Sequence, residues 1–239
     1  MGAHRQDLGG AGGPVRLRFI SAGAAQGVVH GMARQQGVEV EGTFGAVGAM
    51  LERLQAGEGC DVVILTKAQI AKLAAERLVD AASVVDLGAV ATSIAVREGR
   101  VPPDVSTGAA LRAALLASNA IFFPDPSKAT AGIHFAKVVE QLGIADAVAS
   151  RYRLFPNGMT AMASLAHAPG DSIGCTQATE ILATPGVRLV GPLPPGHELR
   201  TVYTAAVNTR AASQDEAARF VALLGGEAHR PARRAAGFE

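Results

Sequence analysis

The chain has no tryptophan, only 4% aromatic residues and two cysteines among its 239 residues. Each scarcity removes a class of function. Without indoles, sugar recognition by aromatic stacking is not expected, and ligands held by backbone and hydroxyl groups come forward. Cys60 and Cys175 stand far apart and form neither a CxxC pair nor a zinc set, so each is expected to be a buried thiol. Charge of one sign is also lacking: 22 Lys and Arg oppose 21 Asp and Glu, for a net charge of +1. Such a chain has no global field to draw in nucleic acid, and no stretch sets basic residues beside stacking aromatics. No apolar run is long enough to span a membrane, so membrane insertion is not expected. The segment 1–14 is Gly-rich and polar, lacks the apolar stretch of an export signal, and is expected to be a flexible N-terminal segment. Two locations stay open on that evidence, a cytoplasmic one and an exported one whose signal lies upstream.

What is present is an apolar fraction of 49% against 18% charged residues, ample for one large domain or two small ones. β-Branched runs alternate with helical stretches. Segments 15–21, 38–44 and 61–65 read as strands, with helices over 27–36, 46–55 and 68–76 between and after them. This is the pattern of parallel βαβ units. A second α/β unit follows, with strands over 93–96, 121–123, 153–155, 172–175 and 187–190 and helices over 107–118, 132–142, 147–150 and 160–166. A strand over 201–207 and a helix over 214–224 then lead to a basic tail, in which Arg230, Arg233 and Arg234 read as a solvated end. No repeat of fixed period is visible. The expectation is an α/β protein of two lobes, the first from 15–92 plus 200–239 and the second from 93–199, with a cleft between them.

In such sheets, ligands sit beyond the carboxyl ends of the strands. Four loops there share a composition of small and hydroxyl residues: Ser21-Ala22-Gly23-Ala24, Gly45-Ala46-Val47-Gly48, Thr66-Lys67 and Ala129-Thr130-Ala131-Gly132. Each leads from a strand toward a helix, where free N–H groups and the helix dipole favour an anion. The plainer reading is that Gly and Ala simply make tight turns, but four such loops together point to anion capture. None matches GxGxxG or GxxxxGK[ST], so no nucleotide cofactor is expected, and no cofactor of another kind is indicated. His30, His167 and His197 lack ligand spacing, and no metal site is expected.

The run from Phe44 to Leu51, the run from Gly57 to Thr66, and Gly132-Ile133-His134-Phe135-Ala136-Lys137 resemble the type II periplasmic-binding-protein family around the molybdate-binding proteins. The resemblance extends from about Val15 to the C-terminal helix. It implies a two-lobed type II periplasmic-binding-protein fold with an interlobe ligand cleft, a small anionic ligand, an ABC permease as partner, a monomer, and a periplasmic location. Molybdate binders of this family hold the oxyanion with a hydroxyl after the first strand, matched by Ser21, and with a Gly-Ser-Ser-Gly loop replaced here by Gly45-Ala46-Val47-Gly48. A tyrosine-bearing segment is replaced by Gly174-Cys175-Thr176-Gln177. An organic carboxylate is therefore expected ahead of molybdate.

The candidate ligand-binding set is Ser21, Ala22, Gly23, Ala46, Val47, Thr66, Lys67, Lys128, Thr130 and Gln177, with loss of binding expected on Ser21→Ala or Lys67→Ala. The same subgroup also resembles aconitate isomerase enzymes, which shift a proton along an unsaturated tricarboxylate. That chemistry needs a base within reach of the carbon acid. Lys67 is the first candidate and His134 the second, although a lysine at a helix start is often merely solvated and a helical histidine often merely packed. Asp61 and Asp125 are expected to brace loops, and Tyr152 and Tyr203 to pack with a hydrogen-bonded tip.

Overall fold

The computed structural model describes residues 14–239. The N-terminal segment expected to be flexible lies, but for Pro14, outside the described residues. In chain order the elements are β1 (Arg16–Ala22), α1 (Gln26–Gln36), β2 (Glu39–Gly45), α2 (Val47–Gln55), β3 (Val62–Thr66), α3 (Lys67–Ala75) and β4 (Val85–Arg97). There follow α4 (Gly108–Ala117), β5 (Ile121–Pro124), α5 (Thr130–Gln141), α6 (Ala145–Val148), β6 (Tyr152–Phe155), α7 (Gly158–Leu165), β7 (Ile173–Gln177) and α8 (Ala178–Leu182). The chain closes with β8 (Val187–Pro192), β9 (Arg200–Val207), α9 (Gln214–Gly225) and α10 (Arg230–Ala235).

Two sheets share one long strand. In the first lobe the strand order is β2-β1-β3-β9-β4, with β1, β2 and β3 parallel and β9 antiparallel between β3 and β4. Val62-Val63-Ile64-Leu65 is buried throughout, as a parallel strand covered on both faces demands. Strand β4 pairs with β9 over its first half, then with β7 and β8 over its second, and so carries the chain from one lobe into the other. In the second lobe β5 runs parallel to both β6 and β7. One apolar core gathers residues from Leu17 to Val90 and from Tyr203 to Phe238, together with Ala178; two further clusters gather residues between Ile94 and Leu193. Every parallel strand thus ends toward the gap between the lobes, which is where its following loop is displayed.

Three expectations are corrected. Strand β4 begins at Val85, well before the expected start at Ser93. Asp86 and Gly88 disguise its first half, since Gly in a strand reads as a break. The ladder shifts register there, and Gly88 takes φ +134°, where a Cβ would crowd Phe238 and Glu239 of the returning C-terminus. Helix α8, unforeseen, starts directly from the end of β7. The basic tail is not a solvated end throughout: Arg233 is 6% exposed and donates to the carbonyls of Leu87, Leu224 and Gly226 at 2.8–2.9 Å. Its guanidinium closes the C-terminus of α9 and ties α10 to β4. Removing it takes the donor from the Leu87 and Leu224 carbonyls, while the Gly226 carbonyl keeps the His229 N–H, so Arg233→Met is expected to lower stability by about 3 kcal/mol in a urea titration.

Candidate functional site

The interlobe gap holds two connected spaces. The inner chamber is lined from the first lobe by Ala22, Gly23, Ala24, Gly45, Ala46, Val47 and Tyr203, and from the second by Pro124, Ala129, Thr130, Ala131, Thr176, Gln177 and Glu180. It has about 20 Å³ of free space, enough for one water-sized sphere. The outer basin, about 420 Å³, is lined by Val47, Gly48, Thr66, Gln69, Ser127, Lys128, Thr130, Ile133, His134, Lys137 and Leu199. Val47 and Thr130 belong to both walls.

Helix starts with and without side-chain caps both occur in the fold: Thr66 caps α3, Thr107 caps α4 and Asn157 caps α7, each accepting a backbone N–H, whereas α1, α6, α9 and α10 start without such a cap. At the chamber, α2 follows Ala46 and α5 follows Ala129, neither of which offers a capping side chain. Gly48 N–H of α2 goes to the Lys128 carbonyl, and the remaining first-turn N–H groups of these two helices have no capping side chain to receive them. Gly132 lets α5 come this close: a Cβ there would run into the carbonyls of Pro124 and Asp125 at the end of β5.

Two buried polar side chains complete the wall. Gln177 is 3% exposed; its amide lies beside the Tyr203 phenol, but neither its oxygen nor its nitrogen makes a hydrogen bond of good geometry. Glu180 is 6% exposed and receives the Thr176 hydroxyl at 2.5 Å. Burial pushes its carboxyl above the usual range, while the Thr176 hydroxyl and the N–H groups of Gln177, Gly158 and Met159 hold that rise in check. Glycines make room for it on both sides. A Cβ on Gly23 would stand 2.6 Å from Glu180 Oε1, and one on Gly158 would collide with Oε2 and with Thr176. Burial and then the Glu180 charge likewise push the Tyr203 phenol upward. Among the described residues, no Lys, Arg or His lines the chamber.

The expected site residues fall into three groups. Ala22, Gly23, Ala46, Val47, Thr130 and Gln177 come together in the chamber. Thr66, Lys128 and His134 line the basin, with Val47 and Thr130 shared. Ser21 and Lys67 line neither space. The Ser21 hydroxyl is fully buried and donates to the Ala22 carbonyl at 3.0 Å, and the Lys67 side chain is 64% exposed and pairs with Asp86 at 2.6 Å. His134 Nε2 lies 2.8 Å from the His197 carbonyl, so its ring is already engaged. Lys128 bridges the lobes: its ammonium meets Glu52 of α2 at 2.8 Å, and its carbonyl accepts from Gly48 N–H at 2.9 Å. Glu52→Gln is therefore expected to speed ligand release a few-fold at low salt and much less at high salt, as read by stopped-flow displacement.

Glu180 and Tyr203 were missed by sequence reasoning. A Glu three residues after Gln177 matches the third position of a capping box, but with no visible helix after β7 that spacing carried no meaning. Tyr203, expected to pack, does so with its ring while lining the chamber. Asp61 and Asp125 brace loops as expected: Asp61 accepts from the N–H groups of Arg18 and Ala212, and Asp125 from Ser127. Both cysteines are buried free thiols, also as expected. Among the described residues no group of three His, Cys, Asp or Glu could hold a metal ion, and no helix is long and apolar enough to cross a membrane.

Two α/β lobes joined by a strand, with parallel strands ending at a cleft between them, define the architecture of the type II periplasmic binding proteins. The chain belongs to the bacterial extracellular solute-binding protein family, whose model matches residues 21–239. It is similar in structure to the periplasmic molybdate-binding protein of Azotobacter vinelandii, with a TM-score of 0.72 at 18% identity, covering 93% of this chain and 98% of that one. It is also similar to the sulfate-binding protein SubI of Mycobacterium tuberculosis, with a TM-score of 0.66 at 18% identity over 94% of this chain and 86% of the other. In sequence it is 27% identical to an aconitate isomerase from a Pseudomonas species over 173 residues, 72% of this chain and 63% of that enzyme. The chain thus spans less than two thirds of that relative's length.

Proposed function

We propose that the protein is the solute receptor of an ABC-type transporter, working outside the cytoplasm, and that it captures a small organic carboxylate in preference to molybdate. One observation carries the reading. Gln177 holds a buried amide with no hydrogen bond of good geometry inside a chamber whose flanking helices α2 and α5 have no side-chain caps, so that apart from Gly48 N–H, which the Lys128 carbonyl receives, donors gather there without a side-chain acceptor. A carboxylate matches: one oxygen at the first turn of α2, the other at the first turn of α5, and the Gln177 amide nitrogen on either. Ala46 and Val47 offer no hydroxyl from the loop after β2, which removes a contact a tetrahedral metal oxyanion would use.

The basin extends the argument to polycarboxylates. With one carboxylate in the chamber, a second reaches the basin wall, where Lys137 and His134 stand. Entry requires the lobes to part, because the chamber as it stands has room for little more than one water and the Gly48–Lys128 hydrogen bond spans its approach. Opening and closing by a hinge would act through the two connections between lobes, β4 and 193–199.

The likeness to aconitate isomerase supports a second reading, catalysis of proton transfer on an unsaturated tricarboxylate. In that case Glu180, buried beside the chamber, is a better placed base than the solvent-facing Lys67 or the engaged His134. The deciding experiment is a thermal-shift panel of citrate, cis-aconitate, trans-aconitate, phosphate, sulfate, tungstate and molybdate, with each aconitate sample followed by proton NMR. Stabilisation by the organic acids without turnover is the expected result. Interconversion of the aconitates would instead establish the enzyme, and stabilisation by molybdate or tungstate alone would overturn the preference for carboxylates.

A further inference from the structure

Among the described residues, the chamber proposed to hold an anion is lined by a carboxyl group, that of Glu180, and by no Lys, Arg or His. One oxygen of Glu180 is spoken for: Oε2 receives the Thr176 hydroxyl and lies against Gly158 at the start of α7. The other, Oε1, faces Gly23 of the opposite lobe, on the side from which the chamber closes. An anion placed between the first turns of α2 and α5 would sit beside this carboxyl in a space from which water is excluded. Two negative groups brought together under those conditions do not both stay ionised; they keep one proton between them.

We propose that the chamber takes up its anion together with one proton, which is shared between the Glu180 carboxyl and the bound group. The inference rests on the receptor reading and deepens it, by making Glu180 a determinant of which ligands bind and at what pH. The groups facing Glu180 are Thr176 and the Gln177 N–H from β7, the N–H groups of Gly158 and Met159 from α7, Gly23 from the turn after β1, and Tyr203 from β9; none is a cation, and the hydroxyl and N–H donors temper the effect of burial without reversing it. Tyr203 alone among them titrates, and its phenol, pushed upward by burial, is neutral across the physiological range. Burial already raises the carboxyl's pKa before ligand arrives, and a second negative group beside it acts in the same direction. The gain is a donor hydrogen directed at an anion that otherwise meets only backbone and amide groups.

Such linkage has a definite sign. An approaching anion raises the carboxyl's pKa, so binding consumes a proton and affinity falls as pH rises between the free and bound values. The test is calorimetric titration with trans-aconitate and with sulfate, both fully ionised above pH 7, in buffers of different ionisation enthalpy from pH 6 to 9. The expected result is uptake approaching one proton per ligand, with affinity falling by up to about tenfold per pH unit. Glu180→Gln keeps an acceptor for α7 and α8 and is expected to abolish both the uptake and the pH slope, whereas Tyr203→Phe keeps them. The wild-type uptake stands as a result even if the Gln variant folds poorly. Binding with uptake below about 0.2 proton per ligand at every pH overturns this inference and leaves the receptor reading intact. Uptake that survives Glu180→Gln, or that vanishes in Tyr203→Phe, overturns it as well. Failure of both anions to bind overturns the receptor reading and this inference with it.

Discussion

Gly158→Ala is expected to cost the protein about 3 kcal/mol or more and to abolish ligand binding, although the residue adds only one methyl group. The added Cβ would occupy the positions of Glu180 Oε2 and the Thr176 hydroxyl, both of them buried. Neither can withdraw to solvent: Glu180 is fixed by α8 behind it and by Gly23 in front, and Thr176 is fully buried near the end of β7. The methyl therefore forces apart a hydrogen-bonded pair and leaves a desolvated carboxyl without its strongest donor, in addition to ordinary overpacking. Urea unfolding gives the stability change and calorimetric titration the loss of binding. A drop under about 1 kcal/mol would show that α7 can slide along its axis, and that the wall around Glu180 is softer than its packing indicates.

Gln177→Met should move stability and binding in opposite directions. The amide is buried beside the Tyr203 phenol with no hydrogen bond of good geometry at either polar end, an arrangement that costs about 1–3 kcal/mol for an ordinary buried group. A thioether of similar length fills the same volume without that cost, so the ligand-free variant is expected to be more stable by about 1 kcal/mol. Ligand affinity is expected to fall about ten- to hundredfold, because the anion loses a donor placed for it. Thermal melting with and without trans-aconitate reads both effects in one experiment. A variant that loses stability in the absence of ligand would show that the amide serves the fold, and would remove the observation on which the receptor reading rests.

The fold was legible because its strands are apolar and its turns are made of small residues. Val62 to Leu65 and Ile121 to Phe123 announce buried parallel strands by composition alone. The first half of β4 was not legible: Gly88 serves a contact with Glu239 more than 150 positions along the chain, and no local pattern records such a partner. Arg233 was misread for a related reason, since three carbonyls from distant or adjoining elements make a buried seat for a charge that composition assigns to water. The chamber was half legible. Loops of Ala and Gly at strand ends pointed to backbone donors, and these did converge. The charged residues drew attention as ligands because charge is visible in a sequence, while Lys67 and Lys128 had acidic partners within reach that only the folded arrangement displays. The carboxyl that reaches the chamber stands on a helix of five residues, too short to register as a period.

The placement of β9 between β3 and β4 bears on the order in which the molecule is made. Until residues 200–207 emerge during synthesis, the first sheet is interrupted, with the edges of β3 and β4 both unpaired. The second lobe, which draws its β5, β6, β7 and β8 from one stretch after β4, has no such gap and can assemble while the rest is still being synthesised. The first lobe can close only when the last 40 residues of the chain, from Arg200 on, arrive, through pairings of high sequence separation that form slowly. A nascent chain would thus spend much of its synthesis half folded, with strand edges open to a chaperone or to another chain, and a truncation just before β9 should yield a protein that aggregates where the full chain does not.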